Sequence, residues 1–543
     1  AHRDLHTAYR RQRQMCIRDR VSFLPGDSTD TYGINADYLG KVLFLNKGDF
    51  VTLNVTNDIN DTITMHWHGL HVAPEDDGGP HTLILPGETW SPDFEVLDEA
   101  ATFWYHPHMH TKTAEQVYKG AAGMLIVRDQ NEASLNLPRT YGVDDFPMII
   151  QDKSFDASNQ FVFAAMSDSM MLNGTLAPYL EVPAQMVRFR LLNASNQRVY
   201  NIGFPFFLNF WQIGTDGGLL ERPISGPRIQ LSPGERAEIV VDFSQAPVGS
   251  NQIMKAFNSE MGPGVSGSPT GPGGGPGNPL DGNDFDFLQF RVVAPTANPI
   301  TSLPMNMNTF DIPAEVDADV FRTKVFDADT SGFPYLINST PYHHHHVNDT
   351  VLLDDIEVWE LINVTDVAHP FHIHDVQFYV LEINGAPAPP TLAGRKDVIL
   401  SNVGDTIRFI TKFDDFTDEH IPYMYHCHNL FHEDAGMMAH FIVVDSTFLA
   451  AEGALGTDDL SGQYTLFPNP AAAQVTIRAK DATKSRMKSL ELYDMLGRKL
   501  DSYLLGAGKS EHQIALQGLD AGMYLVKITD QKGNTGMIRF LHK

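Results

Sequence analysis

The sequence predicts an all-β protein: one β-sandwich domain repeated three times, followed by a smaller β module. Three observations carry that expectation, namely short strand patterns along the whole chain, a repeat among those strands, and abrupt changes of charge. The 543 residues allow several domains at ~100–200 residues each. Hydrophobic residues at 42% and charged residues at 20% describe a globular chain rather than a disordered one. No apolar run approaches the ~18 residues that a membrane span needs.

The strand signals are short runs rich in β-branched and aromatic residues and bounded by Gly, Pro, Asn or Asp. Examples are KVLFL (41–45), GMLIVRD (123–129), FLQFRVV (287–293) and HFIVVD (440–445). Phe50–Asn57, Met186–Asn193 and Glu357–Asn363 are each an alternating strand ending in Asn. Each is followed by a Gly-Asp/Glu turn leading into a second strand, over Pro86–Val96, Pro233–Phe243 and Val403–Phe413. Three copies of one domain explain this spacing.

Net charge is −28, unevenly spread: +4 over residues 1–20, −37 over 21–462 and +5 over 463–543. So acidic a surface repels phosphate and argues against a nucleic-acid partner. The breaks suggest three separately acquired pieces. The basic segment 1–20 lacks an initiating Met and an apolar h-region, so it is not a signal peptide as written; it reads as a disordered tail or a remnant foreign to the fold. The expected divisions are domain one at 21–145, domain two at 146–298, domain three at 299–446, a linker at 447–462 and the last module at 463–543. A Pro/Gly-rich run over 262–283 reads as a flexible surface loop.

Chemistry concentrates in copies one and three. The chain has two cysteines, Cys16 and Cys427, too few for a disulfide framework, and 23 histidines. Four His-x-His pairs occur: His66/His68, His106/His108, His372/His374 and His426/His428. On a strand, residues i and i+2 share a face, so each pair presents two imidazoles to one side. One pair would be two polar surface histidines; four, divided evenly between two repeats, point to a metal, and imidazole suits copper, zinc and iron. Copy two has no such pair and reads as a spacer.

The alternation that turns His426 and His428 to one face turns Cys427 to the other. With His369 and His432 it makes a His₂Cys set, and Met437 stands as a weak axial ligand, the arrangement of a type 1 blue-copper site. His71, His81, His110 and His440 read as ordinary polar residues, and the run His343–His346 as a loop prone to adventitious metal capture. Met166, Met170, Met171, Met305 and Met307 read as adaptable packing.

At these motifs (HWHG, WYHPHMH, HPFHIH and HCHNLFHEDAGMM) the chain resembles the three-domain multicopper oxidases, meaning laccases, bilirubin oxidases and bacterial cuprous oxidases, over roughly residues 40–445. The resemblance implies cupredoxin-like Greek-key sandwiches and four copper ions: one type 1, one type 2 and two type 3. It implies that His66 and His372 hold type 2 copper, that His68, His106 and His428 hold one type 3 ion, and that His108, His374 and His426 hold the other. It further implies that a reductant delivers electrons at the His432 edge, that Cys427 passes them to its neighbours, and that O₂ becomes water. Asp77 and Glu433 match the family's acidic positions and would serve as proton donors, with Asp76 a substitute for its neighbour.

The segments Tyr464–Pro470, Leu492–Arg498 and Gly522–Val526 resemble the sorting domain of the type IX secretion pathway, which implies secretion machinery as a partner and a secreted or cell-surface enzyme. The function expected is a laccase-like oxidase of phenols and aromatic amines with O₂ as acceptor. A cuprous or ferrous oxidase or a bilirubin oxidase is the alternative within the family. From another class, the alternative is a non-catalytic copper-binding or electron-carrier protein, which would have no use for eight further histidines.

Overall fold

The computed structural model describes residues 9–445, apart from 206, 207, 209 and 276, and residues 463–542, apart from 469, 470, 472, 481–485, 495–498, 520, 521, 533 and 534. The expected linker 447–462 lies outside the described residues. The chain divides into two units: Ala1–Pro341 with Asp355–Phe413 and Tyr423–Met438, and Tyr342–Asp354 with Asp414–Pro422 and Ala439–Lys543.

In the first unit each repeat strand occupies the same place. Phe50–Asp58, Met186–Asn193 and Ile356–Asn363 each pair in parallel with an earlier strand: Tyr9–Val21, Asp145–Lys153 and Val320–Ala328 respectively. On its other side each pairs antiparallel with the strand after the Gly-Asp/Glu turn, in the registers Phe50↔Glu95, Met186↔Asp242 and Ile356↔Lys412. Inward residues of these sheets meet a second sheet in each copy; Val51, Leu53 and Val55, for example, share a core with Phe103, Leu125 and Val127.

The Asn that ends each repeat strand is a buried latch. Asn57, Asn193 and Asn363 each accept from the backbone N–H two residues on, at 3.0–3.1 Å. Each also donates from Nδ2 to two carbonyls, those of Asp61 and Ile84, of Arg198 and Leu231, and of Val367 and Ser401. One amide thus satisfies the backbone of a corner where the chain crosses between sheets, and no apolar side chain could do so.

The expectation of a disordered tail over residues 1–20 does not hold for its second half. Tyr9–Val21 is a strand lying parallel to Phe50–Asp58, with Gln14 and Cys16 buried and Arg18 and Arg20 exposed against Asp30. It fills the slot that Asp145–Lys153 and Val320–Ala328 fill in the other copies, and its arginines masked the alternation in the sequence. The run 262–283 is solvated only in part. Val265, Ser266, Ser268 and Leu280 are buried, and Gly264 accepts from Ala368 N–H at 2.8 Å, beside His369. Gly264 has φ 75°, and a Cβ there would lie 2.3 Å from Val403.

The middle copy is more than a spacer. Its buried Arg236 donates to the Thr102 carbonyl of copy one at 3.0 Å, to Asp216 O of its own copy at 3.2 Å, and to the Asp397 carboxylate of copy three at 2.5 Å. Lys396 adds contacts to Asp216 at 2.9 Å and Glu235 at 2.7 Å. Such a network is stable only when each member is paired.

The second unit contains the parallel pairing of Asp349–Leu352 with Phe441–Val444. It also holds a β module of two sheets, one of Tyr464–Phe467, Gln474–Ala479 and Glu511–Ala515, the other of Lys499–Lys509, Met487–Asp494, Gly522–Asp530 and Thr535–His542. Val475, Ile477, Leu490, Val526, Ile528 and Phe540 form its core. No helix among the described residues is long and apolar enough to cross a membrane.

Candidate metal centres

Strand register brings the histidine pairs together. In copy one His66 and His106 are cross-strand partners, exchanging backbone hydrogen bonds of 2.8 and 3.2 Å. In copy three His372 lies opposite His426, and Phe371 opposite Cys427. Cross-strand partners share a face, so the eight paired histidines converge while Cys427 points to the opposite side of its strand.

The ring nitrogens form distinct sets. His68 Nδ1 lies 3.4 Å from His106 Nε2 and 3.2 Å from His428 Nε2. His426 Nε2 lies 3.1 Å from His108 Nε2 and 3.4 Å from His374 Nε2. On the other side of the Cys427 strand, Cys427 Sγ is 3.5 Å from both His369 Nδ1 and His432 Nδ1, which are 3.2 Å apart. Met437 is fully buried beside them; its carbonyl accepts from Cys427 N–H and its N–H donates to His432 O.

The outward ring edges show what these sets fit. His66 Nδ1 donates to Asp77 O (2.9 Å), His372 Nδ1 to Asp397 O (2.8 Å) and His106 Nδ1 to Pro107 O (2.8 Å). His374 Nδ1 donates to Asp77 Oδ2 (2.8 Å) and His68 Nε2 to Asp397 Oδ1 (3.2 Å). Where both outer nitrogens hold their protons, as in His68 with His106 and His374 with His426, the inner ones carry bare lone pairs, and lone pairs facing one another at 3.4 Å repel unless a cation lies between them. His66 Nε2 and His372 Nε2 are buried and have no hydrogen-bond partner at all. Burial holds His374 down at about 4 and His428 and His432 at about 3, so all three are neutral, as ligands must be. Burial likewise pushes the Cys427 thiol up, so a cation would have to displace its proton. The donor set of imidazole, thiol and thioether suits copper.

Residues 16–132 and 311–447 match the multicopper oxidase family pattern, and residues 465–539 match the secretion system C-terminal sorting domain. A multicopper oxidase from Staphylococcus haemolyticus is 33% identical over 79% of this chain and 87% of its own. The chain belongs to the multicopper oxidase family. It is therefore a copper-dependent oxidoreductase with O₂ as acceptor, and it carries a C-terminal sorting domain. A laccase-like multicopper oxidase from Ochrobactrum sp. superposes with a TM-score of 0.71 at 32% identity, covering 80% of this chain and 97% of that one. The cell division protein FtsP of Escherichia coli is 32% identical over 78% of this chain and 88% of its own. That name attaches no oxidase activity, so this chain's own donor atoms carry the chemical argument.

The two carboxyls that the family pattern marks stand in contrasting environments. Burial alone would raise Asp77, but the His374 and His66 rings that face it hold it below the usual carboxylate range. Glu433 is pushed well above its usual range by burial, with Asp434 adding to the effect; its oxygens lie 3.4 Å from His108 Nδ1 and 3.3 Å from His426 Nδ1. Asp76 is half-buried and turned to Asp93 N–H at 3.3 Å, away from the rings. Of the methionines, Met166, Met170, Met171 and Met307 are buried packing residues and Met305 is exposed.

Several residues at these centres were not evident in the sequence. Asp397 holds two rings, Thr365 Oγ1 contacts His369 Nε2 at 2.9 Å, and Tyr335 lies against His369 and His432 at ring distances of 4.8 and 4.7 Å. His71 and His440, expected as ordinary polar residues, are not. His440 is buried, and His71 Nδ1 lies 3.0 Å from Asp375 while its N–H donates to Asp98 at 3.1 Å. Burial would lower His71, but these two carboxylates push it up to about 10.

The His71 clamp gives a signed pH dependence. Its folded value exceeds the unfolded ~6.5, so its stabilisation is full below that value and is lost as pH rises through about 10. His71→Gln should cost roughly 3 kcal/mol at pH 7, and the gap to wild type should close toward pH 10 in denaturant unfolding. A gap constant over that range would show that His71 is not charged in the fold.

Proposed function

We propose that this multicopper oxidase is laccase-like and exported, taking electrons one at a time from phenols and aromatic amines. The observation that carries the reading is Cys427, flanked in the chain by His426 and His428, whose rings join the two histidine trios on the other side of the strand. In this reading His369, Cys427, His432 and Met437 would hold a type 1 ion, and His66 with His372 a type 2 ion. His68, His106 and His428 would hold one type 3 ion, and His108, His374 and His426 the other. Copies one and three (21–145 and 299–446) thus supply the donors, with copy two (146–298) between them in sequence. Copper bound in these sets supplies one-electron acceptance at the cysteine and four-electron reduction of O₂ to water at the histidines.

The chain's own groups do the rest. Cys427 and its neighbours are the shortest covalent route between the two donor sets. Glu433, whose carboxyl burial pushes well above its usual range, can donate a proton toward the rings, while Asp77, held below the usual carboxylate range, accepts from His374 Nδ1 and can relay a proton along that contact. A reductant reaches the nearly buried His432 past half-buried Tyr335, whose hydroxyl donates to exposed Asp366 at 3.4 Å. Asp366 and the charge of −37 over 21–462 favour cationic donors, an attraction that weakens as salt shortens the ~8 Å Debye length. The sorting module carries the enzyme to the outside of the cell.

An oxygen electrode tests the reading: methoxyphenols and aromatic diamines should drive uptake faster than Cu(I), Fe(II) or bilirubin, and Cys427→Ser should abolish both uptake and the blue colour. Cu(I) outrunning every organic donor would make it a metallo-oxidase. Asp77→Asn should lower kcat by roughly 100-fold while leaving bleaching of the blue band by substrate fast in stopped flow; slowed bleaching would place Asp77 on the donor side instead. A chain ended at residue 446 should keep its oxidase rate in vitro and fail to be exported by a host with the sorting machinery. Export of the shortened chain would remove the sorting role.

A further inference from the structure

The four consecutive histidines take no part in the centres above, yet they are built into a defined turn. His346 N–H donates to His343 O at 3.0 Å, closing it. The His344 and His345 rings lie 5.0 Å apart and those of His343 and His345 6.1 Å. Two imidazoles on one ion, each at a metal–nitrogen distance of ~2.0 Å, have ring centres no more than roughly 6 Å apart. The rings of the candidate copper sets, such as His369 and His432 at 5.1 Å, lie in the same range.

Behind the turn is a buried brace. His440 Nδ1 donates to His346 O at 3.0 Å, which leaves its Nε2 to accept from the Tyr342 hydroxyl at 3.1 Å. The Tyr342 oxygen then accepts from His344 Nδ1 at 3.3 Å, and this places the His344 lone pair on Nε2, at the far edge of the ring. Backbone bonds between Asn348 and His440, 2.9 Å in both side-chain and main-chain contacts, fix the turn to its neighbouring strand. An outer hydrogen bond that sets the tautomer of a ring is what built metal sites use to orient a histidine ligand.

We propose that the His343–His345 turn, braced by Tyr342 and His440, is a further site for one late transition-metal ion and binds Cu(II) most tightly. The preference for Cu(II) follows from an all-imidazole donor set and the general order of divalent affinities. The proposal does not rest on the oxidase reading, because none of these residues belongs to the twelve candidate ligands.

The test uses the full chain already loaded with its own copper and freed of excess metal, titrated calorimetrically with Cu(II), Ni(II) or Zn(II) chloride. About one further equivalent of Cu(II) should bind, more tightly than Ni(II) or Zn(II), with nitrogen hyperfine structure in its electron paramagnetic resonance spectrum. The triple variant His343→Asn, His344→Asn, His345→Asn should lose that equivalent with the oxidase rate unchanged. Tyr342→Phe should weaken it by ~10-fold. Equal affinity in wild type and triple variant, or no further equivalent in wild type, overturns the site; Zn(II) binding tighter than Cu(II) overturns its selectivity.

Discussion

Neutral imidazoles turned nitrogen to nitrogen in a dry interior are the constraint on which the rest of the first unit depends. A buried histidine ordinarily satisfies both nitrogens, but here His68 faces His106 and His374 faces His426 lone pair to lone pair, and one nitrogen each of His66 and His372 has no partner. Such an arrangement is costly until a cation fills it. The outer edges of His66, His68, His106, His372 and His374 are held by fixed acceptors. Asp77 takes His66 on its carbonyl and His374 on its carboxylate, and Asp397 does the same for His372 and His68. Each aspartate thus serves one ring from copy one and one from copy three.

That division of labour explains why a histidine-free copy lies between the two. Asp397 is buried, and burial pushes its carboxyl up to about 6 against the pull of Arg236. Arg236 comes from the middle copy and is itself anchored by Thr102 O of copy one. Removing one partner of such a buried pair costs about 3–5 kcal/mol because the other charge is left stranded. Here it would also release the acceptor that orients two rings. The middle copy therefore acts on the copper centres through an ion pair rather than through a ligand.

How much of this the sequence disclosed follows from what has a period. Four His-x-His pairs on strands are visible because spacing two fixes the face, and Cys427 between His426 and His428 is visible for the same reason. The Asn-terminated repeat is visible because the corner it latches occurs three times. Asp397, Arg236 and Tyr335 are single residues whose partners are far away in the chain, as with His68 and Asp397, and no local pattern marks them. Residues 9–20 show the opposite case: a strong local signal, the run of arginines, conceals an ordinary strand whose place only the sheet register reveals.

The same reasoning separates two carboxyls that the sequence treats alike. Asp77 and Glu433 each stand beside two rings at similar distances, and both are almost fully buried. Asp77 sits among outer N–H groups that donate to it, which favours its ionised form. Glu433 has Asp434 as its neighbour in the chain, and burial prevails, pushing its carboxyl well above the usual range. Two acids of one chemical type are thereby shifted in opposite directions, Asp77 down by the rings that face it and Glu433 up by burial and the charge of Asp434.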